Sequence, residues 1–229
     1  IKGGAHLERL AGVRVVAFDK TGTLTSGEPQ VVSIVAIGDA DEHEALAAAA
    51  AIEQRSAHPI AGAIVAAARA RSVEAGGADD VRDLPGRGAE GRWRGRQVLV
   101  GNPALLGERG VKADTAPFAS ALAADGQTAV FVAIDGVARL AIGVADRPRA
   151  VAADVVRLLK GQGIAHVALL TGDTAASARA LARATGVTDV RASLLPAAKL
   201  TAVKELRAAY GEIAMVGDGV NDAPALAAA

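Results

Sequence analysis

No cysteine occurs in the 229 residues, so neither a disulfide framework nor a thiolate metal site can form within the chain. Histidine is scarce: His6, His43, His58 and His166 stand far apart without the spacing of a ligand set, and no imidazole metal cage is expected. Net charge is lacking as well. Lys and Arg total 25 against 25 Asp and Glu, which removes the electrostatic case for a nucleic acid or a charged membrane surface as partner. Long hydrophobic runs are missing too, since EALAAAAAI and IAGAIVAAARA are broken by charge well short of the ~18 residues that a membrane span needs. The start, IKGGAHLERLAG, has no apolar core of signal-peptide length. The chain reads as soluble; because it opens on Ile and stops in APALAAA, it is expected to be a piece of something longer.

What is present is apolar mass: 51% of the residues are hydrophobic, ample for real cores. Much of that mass is alanine, which favours helices. Periodicity divides the chain in three. VRVVAFD (13–19) is a short apolar run ended by turn chemistry, the pattern of a strand buried on both faces of a parallel sheet. From about residue 143 strands alternate with glycine-stopped helices (VAADVVRLLKGQG, HVALLTGD, TAASARALARATG, PAAKLTAVKELRAAYG, EIAMVGDG), which predicts a doubly wound α/β sheet. Residues 30–142 read differently. Two alanine-rich helices near 41–54 and 58–72 precede a hairpin at Arg94-Gly95 and a second at Asp135-Gly136. The expected organisation is an α/β domain of residues 1–29 and 143–229, with an α+β domain of residues 30–142 inserted after its first strand. SGEP and ADRPR, each with a proline, are the expected hinges.

In open α/β sheets ligands gather at the carboxyl ends of the strands. Here the strands end in Asp19-Lys20-Thr21, Thr171-Gly172-Asp173 and Gly217-Asp218-Gly219, the last followed by Asn221-Asp222. Converging carboxylates of Asp19 and Asp218 can hold Mg²⁺ through oxygen, and the metal can neutralise a phosphoryl group. Lys199 opens a helix from which an ammonium can reach the same group, Thr171 offers a hydroxyl, and the amides of the TGT turn can cradle phosphate oxygens. Asp19 is then the natural nucleophile, giving an aspartyl phosphate. Each residue also has a structural reading: TGD is most often a strand-to-helix turn with an aspartate cap, and a lone helical lysine is usually solvated. It is the conjunction, in this order, that favours chemistry.

DKTGTLT, TGD, Lys199 and GDGVNDAPAL together resemble the phosphorylation domain of a P-type ATPase, a family built on the haloacid-dehalogenase-like fold. The resemblance covers nearly the whole chain. It implies that Asp19 is phosphorylated by ATP. Thr21 would give its backbone carbonyl to Mg²⁺ and its side chain to the phosphate, and Asp218 would be the second carboxylate on the metal. Asn221 and Asp222 would support the site. Thr171, Gly172 and Asp173 would line the phosphate path, Lys199 would stabilise the phosphoryl oxygens, and Asp146 and Arg149 would sit at the hinge near the nucleotide. Phosphatases of the fold usually carry a second Asp two residues after the nucleophile, whereas here Thr21 cannot act as general acid or base at neutral pH. The aspartyl phosphate is therefore expected to persist until another domain hydrolyses it.

In the inserted domain, Glu53 and His58 flank a helix start, Gly86 and Gly88 leave a loop open to a flat ring or a phosphate, and Asn102 ends a strand. Taken singly, His58 is more often a capping residue than a ligand contact, and Asn102 reads equally well as an N-cap. In order, Glu53, His58, Gly86, Gly88 and Asn102 resemble the nucleotide-binding domain of the heavy-metal-transporting branch of P-type ATPases, and replacing His58 or Gly88 is expected to weaken ATP binding with the fold intact. Ala57 departs from that branch, which commonly has Glu before the His-Pro pair. The ends of the chain look more like zinc/cadmium-type members than copper-type ones. By this resemblance the chain is the cytoplasmic part of an integral membrane pump, with ATP and Mg²⁺ as cofactors and with the actuator domain and transmembrane helices of the same pump as partners. No nucleic acid is involved, and the transported metal is not bound by these residues. Two other readings stand beside it: a free-standing phosphatase of the same fold, against which Thr21 counts, and a nucleotide-sensing module, for which Asp19, Lys199 and Asp218 would be superfluous.

Overall fold

A computed structural model of the chain describes residues 10–112, 114–218 and 222–229. Two compact units are present, Ile1–Glu28 with Asp146–Ala229, and Pro29–Ala145. The first unit is built on a parallel sheet of β1 (Val15–Phe18), β8 (His166–Leu170), β9 (Asp189–Arg191) and β10 (Ile213–Val216), in the order β10-β1-β8-β9. Its strands are apolar on both faces because both are covered. Val16 and Phe18 pack with residues of α5 (Ala152–Gly161) and α6 (Ala175–Thr185), whereas Val15 and Ala17 pack with those of α7 (Pro196–Tyr210) and α8 (Ala223–Ala228). The alternation of the strand thus divides one VVAF run between two cores.

Register fixes where the strands end. Phe18 lies opposite Val216 on one side and Leu169 on the other. The residues that follow, Asp19, Gly217-Asp218 and Thr171, therefore leave the sheet side by side at its carboxyl edge. The turn after β1 is wound by Gly22, whose φ of 73° only a glycine adopts at low cost. Thr174, rather than Asp173, caps α6 by accepting from Ser177 N at 3.3 Å, and Gly186 ends that helix in the left-handed conformation.

The second sheet has six strands in the order β2-β7-β6-β5-β4-β3: β2 (Thr25–Ala36), β3 (Asp79–Leu84), β4 (Gly88–Trp93), β5 (Arg96–Gly101), β6 (Thr128–Ile134) and β7 (Val137–Pro148). Arg94-Gly95 and Asp135-Gly136, both residues of each pair at positive φ, make the two expected tight hairpins. On one face, Val98, Val100, Val132, Leu140 and Ile142 pack with α1 (Glu42–Glu53) and α2 (Pro59–Ala70). On the other, Leu99, Phe131 and Ala141 pack with α3 (Pro103–Glu108) and α4 (Ala116–Ala124). SGEP, read as a hinge loop, lies inside β2, and ADRPR closes β7 rather than forming a loop. Neither proline interrupts its strand.

Helix α1 is buried from Ala45 to Glu53. Alanine makes that possible, because a helix enclosed on nearly all sides must be thin. The same demand falls on β4, where a Cβ on Gly91 would stand 2.9 Å from Ile52 Cδ1. Enlarging a fully buried alanine here forces displacement of neighbours, so Ala48→Leu is expected to destabilise the chain by about 1–3 kcal/mol, whereas Ala66→Leu on the exposed face of α2 changes stability by no more than ~0.5 kcal/mol. Urea denaturation of the two variants measures the difference.

Candidate functional site

The carboxyl edge of the parallel sheet carries a buried charge cluster. Lys199, in the first turn of α7, donates from Nζ to Asp19 Oδ1 at 2.5 Å and to Asp222 Oδ1 at 2.7 Å. All three side chains are at least nine-tenths buried. Burial opposes the Lys199 charge, but the hydrogen bonds to Asp19 and Asp222 outweigh it and hold the ammonium above its usual pKa. Burial pushes the Asp19 carboxyl up, against the opposing pull of Lys199. One cation between two carboxylates leaves a net negative cluster.

Beside it stands a second pair. Lys20 is buried and forms an ion pair with Asp173, and its Nζ lies 3.4 Å from Ser177 Oγ. Thr171, also buried, accepts from Asp173 N through Oγ1 at 3.1 Å, so its own hydroxyl hydrogen is left to donate. Gly172 turns close to Leu194, whose carbonyl oxygen would be 3.3 Å from an added Cβ. Thr21 is exposed at the mouth of the turn and Asp218 is exposed at the end of β10, with its Oδ2 3.9 Å from the Cβ position of Gly22. Asn221 lies outside the described residues.

Asp146 and Arg149 hold the loop that follows the turn. Asp146 accepts from Thr25 Oγ1 at 2.5 Å, from Ser26 Oγ at 3.2 Å and from Gly27 N at 3.0 Å. Arg149 donates to Gly22 O at 2.9 Å and Thr23 O at 3.0 Å. Their contacts within the first unit are therefore with the backbone and hydroxyls of residues 22–27.

A magnesium ion fits the donors at this edge. The available groups are carboxylate and carbonyl oxygens, the hard ligands that such an ion takes. Among the described residues Asp222 Oδ2 is buried without a hydrogen-bond partner, so one oxygen of the cluster is left open to a further donor or cation. Among the described residues no three His, Cys, Asp or Glu side chains group into a metal cage.

In the second unit Glu53, His58, Gly86, Gly88 and Asn102 line one cavity of about 500 Å³, together with Asp83, Arg87 and the β6 residues Thr128–Val130. Two of these residues also do the structural work that their alternative readings assigned: His58 Nδ1 accepts from Ile60 N at 3.2 Å to cap α2, and Asn102 Oδ1 accepts from Leu105 N at 3.0 Å to cap α3. Asn102 further donates to Gly86 O at 3.2 Å, so the cap also holds the Leu84–Arg87 turn at the cavity wall. Glu53 is 7% exposed and its carboxyl has no hydrogen bond or ion pair among the described residues. Burial first, and then the Asp83 charge, push its pKa up to about 7.

Gly88 lines the cavity and also meets a constraint from its own sheet. A Cβ there would lie 2.0 Å from Val100 O and 2.5 Å from Gly101 Cα, at a backbone φ of 150°. The close approach of β5 already requires glycine here, whether or not a ligand is bound. Gly88→Ala is therefore expected to cost about 3 kcal/mol or more of stability rather than leave the fold intact, read as a lowered melting temperature in the absence of any ligand.

Lys20 was read at its strand end, inside DKTGTLT, but was given no role of its own; two further participants escaped the reading of the sequence. Ser177 and Asp83 had no signal, since a serine in a helix and an aspartate on an exposed strand are ordinary.

Comparison with known proteins agrees with this geometry. A haloacid dehalogenase-like hydrolase family profile matches residues 13–229. A probable cadmium-transporting ATPase of Staphylococcus aureus (strain MRSA252) is 38% identical over 100% of the chain and 32% of its own length. A copper-transporting P-type ATPase of Rhizobium leguminosarum bv. viciae is 40% identical over 100% of the chain and 27% of its own length. The crystal structure of a zinc-transporting PIB-type ATPase superposes with a TM-score of 0.90 at 40% identity, covering 100% of this chain and 37% of that one. The chain thus spans about a third of the length of the relatives it matches, and among its described residues no helix is long and apolar enough to cross a membrane. A profile that runs through the last residue, over a parallel sheet with Asp19 at its carboxyl edge, makes the chain a member of the haloacid dehalogenase-like hydrolases that corresponds to the catalytic region of heavy-metal-transporting P-type ATPases.

Proposed function

We propose that the chain binds ATP in the cavity of Pro29–Ala145 and transfers the γ-phosphoryl group to Asp19, as the energy-converting cytoplasmic part of a heavy-metal pump. The observation that carries this reading is the Lys199 ammonium held between Asp19 and Asp222. In the transfer an Asp19 carboxylate oxygen forms the new bond to phosphorus. The bond from phosphorus to the β,γ-bridging oxygen breaks, and its electron pair leaves with ADP; no proton need move. Lys199 offsets the charge that gathers around Asp19. Thr171 supplies a hydroxyl hydrogen, and the turn wound by Gly22 presents backbone amides to the phosphoryl oxygens. Asp19, Asp218 and the Thr21 carbonyl are the assigned ligands of Mg²⁺, which supplies neutralisation of phosphate charge when bound. Asp146 and Arg149 keep loop 22–27 in position for this.

Thr21 supports a pump reading over a phosphatase reading. A hydroxyl with an ordinary alcohol pKa does not activate water at neutral pH, so the aspartyl phosphate outlives its formation and awaits groups beyond these residues. Actuator domain and transmembrane helices of a full-length pump are the proposed partners. The transported metal is selected there, and comparable identity to cadmium and copper transporters leaves that choice to those helices.

Incubation with γ-labelled ATP and Mg²⁺ tests the reading. A phosphoenzyme that is stable in acid and cleaved by hydroxylamine is expected, and Asp19→Asn abolishes it. Label that persists in Asp19→Asn overturns the assignment. Asp218→Ala is expected to abolish Mg²⁺-dependent binding of beryllium fluoride while ATP binding survives, because the two ligands are assigned to different units; calorimetric titration with each ligand separates them, and equal loss of both rules out two sites.

A further inference from the structure

The nucleotide cavity contains an acid whose environment does not suit a charge. Glu53 closes α1 as a residue only 7% exposed, lining the cavity and with its carboxyl making no hydrogen bond or ion pair among the described residues. An ionised carboxylate in that position would lack the donors that normally stabilise it. The nearest charge of consequence has the wrong sign, for Asp83 on β3 lines the same cavity.

We propose that Glu53 engages the base of the nucleotide as the neutral acid, and that Asp83 is a positioning residue whose like charge keeps it in that form. This rests on the nucleotide reading above and goes beyond it. A neutral carboxyl carries one O–H donor beside one C=O acceptor. Adenine presents the complement on one edge, with N1 as acceptor and the N6 amine as donor. The neutral acid can make both hydrogen bonds at once, whereas a carboxylate can accept from N6 but repels N1.

The other ionisable groups around Glu53 do not provide the alternative. Helix α1 packs against α2, β4, β5 and β6. Those elements carry Arg69, Glu90, Arg92 and Arg96, with none on β6, and the cavity wall adds His58 and Arg87 to Asp83. Glu42 and Glu44 lie at the far end of α1 itself, and Arg55 follows it. Of all these, Asp83 is the group whose charge acts on Glu53, and burial acts in the same direction, together raising the carboxyl to about 7.

The sign of the pH dependence follows. Below that value Glu53 is neutral and competent; above it the competent fraction falls about tenfold for each unit. ATP affinity of the 229-residue chain is therefore expected to weaken about tenfold between pH 6 and pH 8, and binding at pH 8 takes up most of one proton. Glu53→Gln, whose amide also offers a donor beside an acceptor, is expected to lose this slope and the proton uptake, and to bind about tenfold more tightly than wild type at pH 8. In Asp83→Asn the decline is expected to begin at lower pH, since the like charge is gone. His58 and the phosphates of ATP are common to all three proteins, so their contributions cancel in the comparison.

Isothermal calorimetry in two buffers of different ionisation enthalpy measures affinity and proton count together. Wild-type affinity that is level or rises toward pH 8, or weaker binding by Glu53→Gln at pH 8, overturns the neutral-acid assignment. A profile of Asp83→Asn that coincides with wild type overturns the role of Asp83. Urea denaturation at each pH verifies that the variants are folded, and Asp83, exposed on its strand, is a mild site for substitution. Absence of ATP binding by wild type at every pH would instead remove the nucleotide reading itself, and this inference with it.

Discussion

The ammonium of Lys199 between Asp19 and Asp222 is the contact on which the rest of the first unit depends. A carboxylate at the end of a doubly covered strand would be expensive to bury alone, and removal of its cation typically costs several kcal/mol. The parallel sheet supplies the carboxylate, because β1 is flanked on both sides and its end cannot move. The first turn of α7 supplies the cation, and the residue before α8 supplies the second anion. Three separate segments must therefore arrive together for any one of them to be tolerated. That mutual requirement turns a storage problem of charge into a preorganised site.

The two units meet the same difficulty by different means. Asp19 and Glu53 are equally buried, each 7% exposed. Asp19 has an ammonium at hydrogen-bond distance, so its charge is compensated where the proposed phosphoryl transfer takes place. Glu53 has no cation, and a neighbouring carboxylate makes ionisation harder still. A paired acid suits a nucleophile that must be anionic; an unpaired acid suits recognition of an uncharged ring. The difference in environment thus matches the difference between the two proposed tasks.

How much of this was legible in the sequence depended on the range of the interaction. The strands ending at Asp19, Thr171 and Asp218 could be read because apolar runs and turn residues are local patterns, and both hairpins could be read from Arg94-Gly95 and Asp135-Gly136. Helices α3 and α4 could not, since six and nine residues are too few for a helical period to stand out. The strand through SGEP and the extension of β7 into ADRPR were hidden for another reason: proline suggests a break, but both strands continue to or through it. The structural demand on Gly88 was hidden because its source, the carbonyl of Val100, is twelve residues away. Asp83 and Ser177 were invisible, for nothing in their own neighbourhoods distinguishes them.

Asp146 and Arg149 show how a signature motif can depend on residues far outside it. The turn proposed to present amides to phosphate is tightly wound, with Thr21 in extended geometry and Gly22 left-handed. Within DKTGTLT it is tied by Thr25, whose hydroxyl donates to Lys20 O at 2.9 Å and whose backbone N–H donates to the same carbonyl. The remaining constraints come from more than 100 residues further along the chain, where one carboxylate collects Thr25, Ser26 and Gly27 and one guanidinium collects the carbonyls of Gly22 and Thr23. A planar fork suits two carbonyls and an ammonium would not, so Arg149 is not interchangeable with lysine. The motif is local in sequence, but its shape is held by the end of β7.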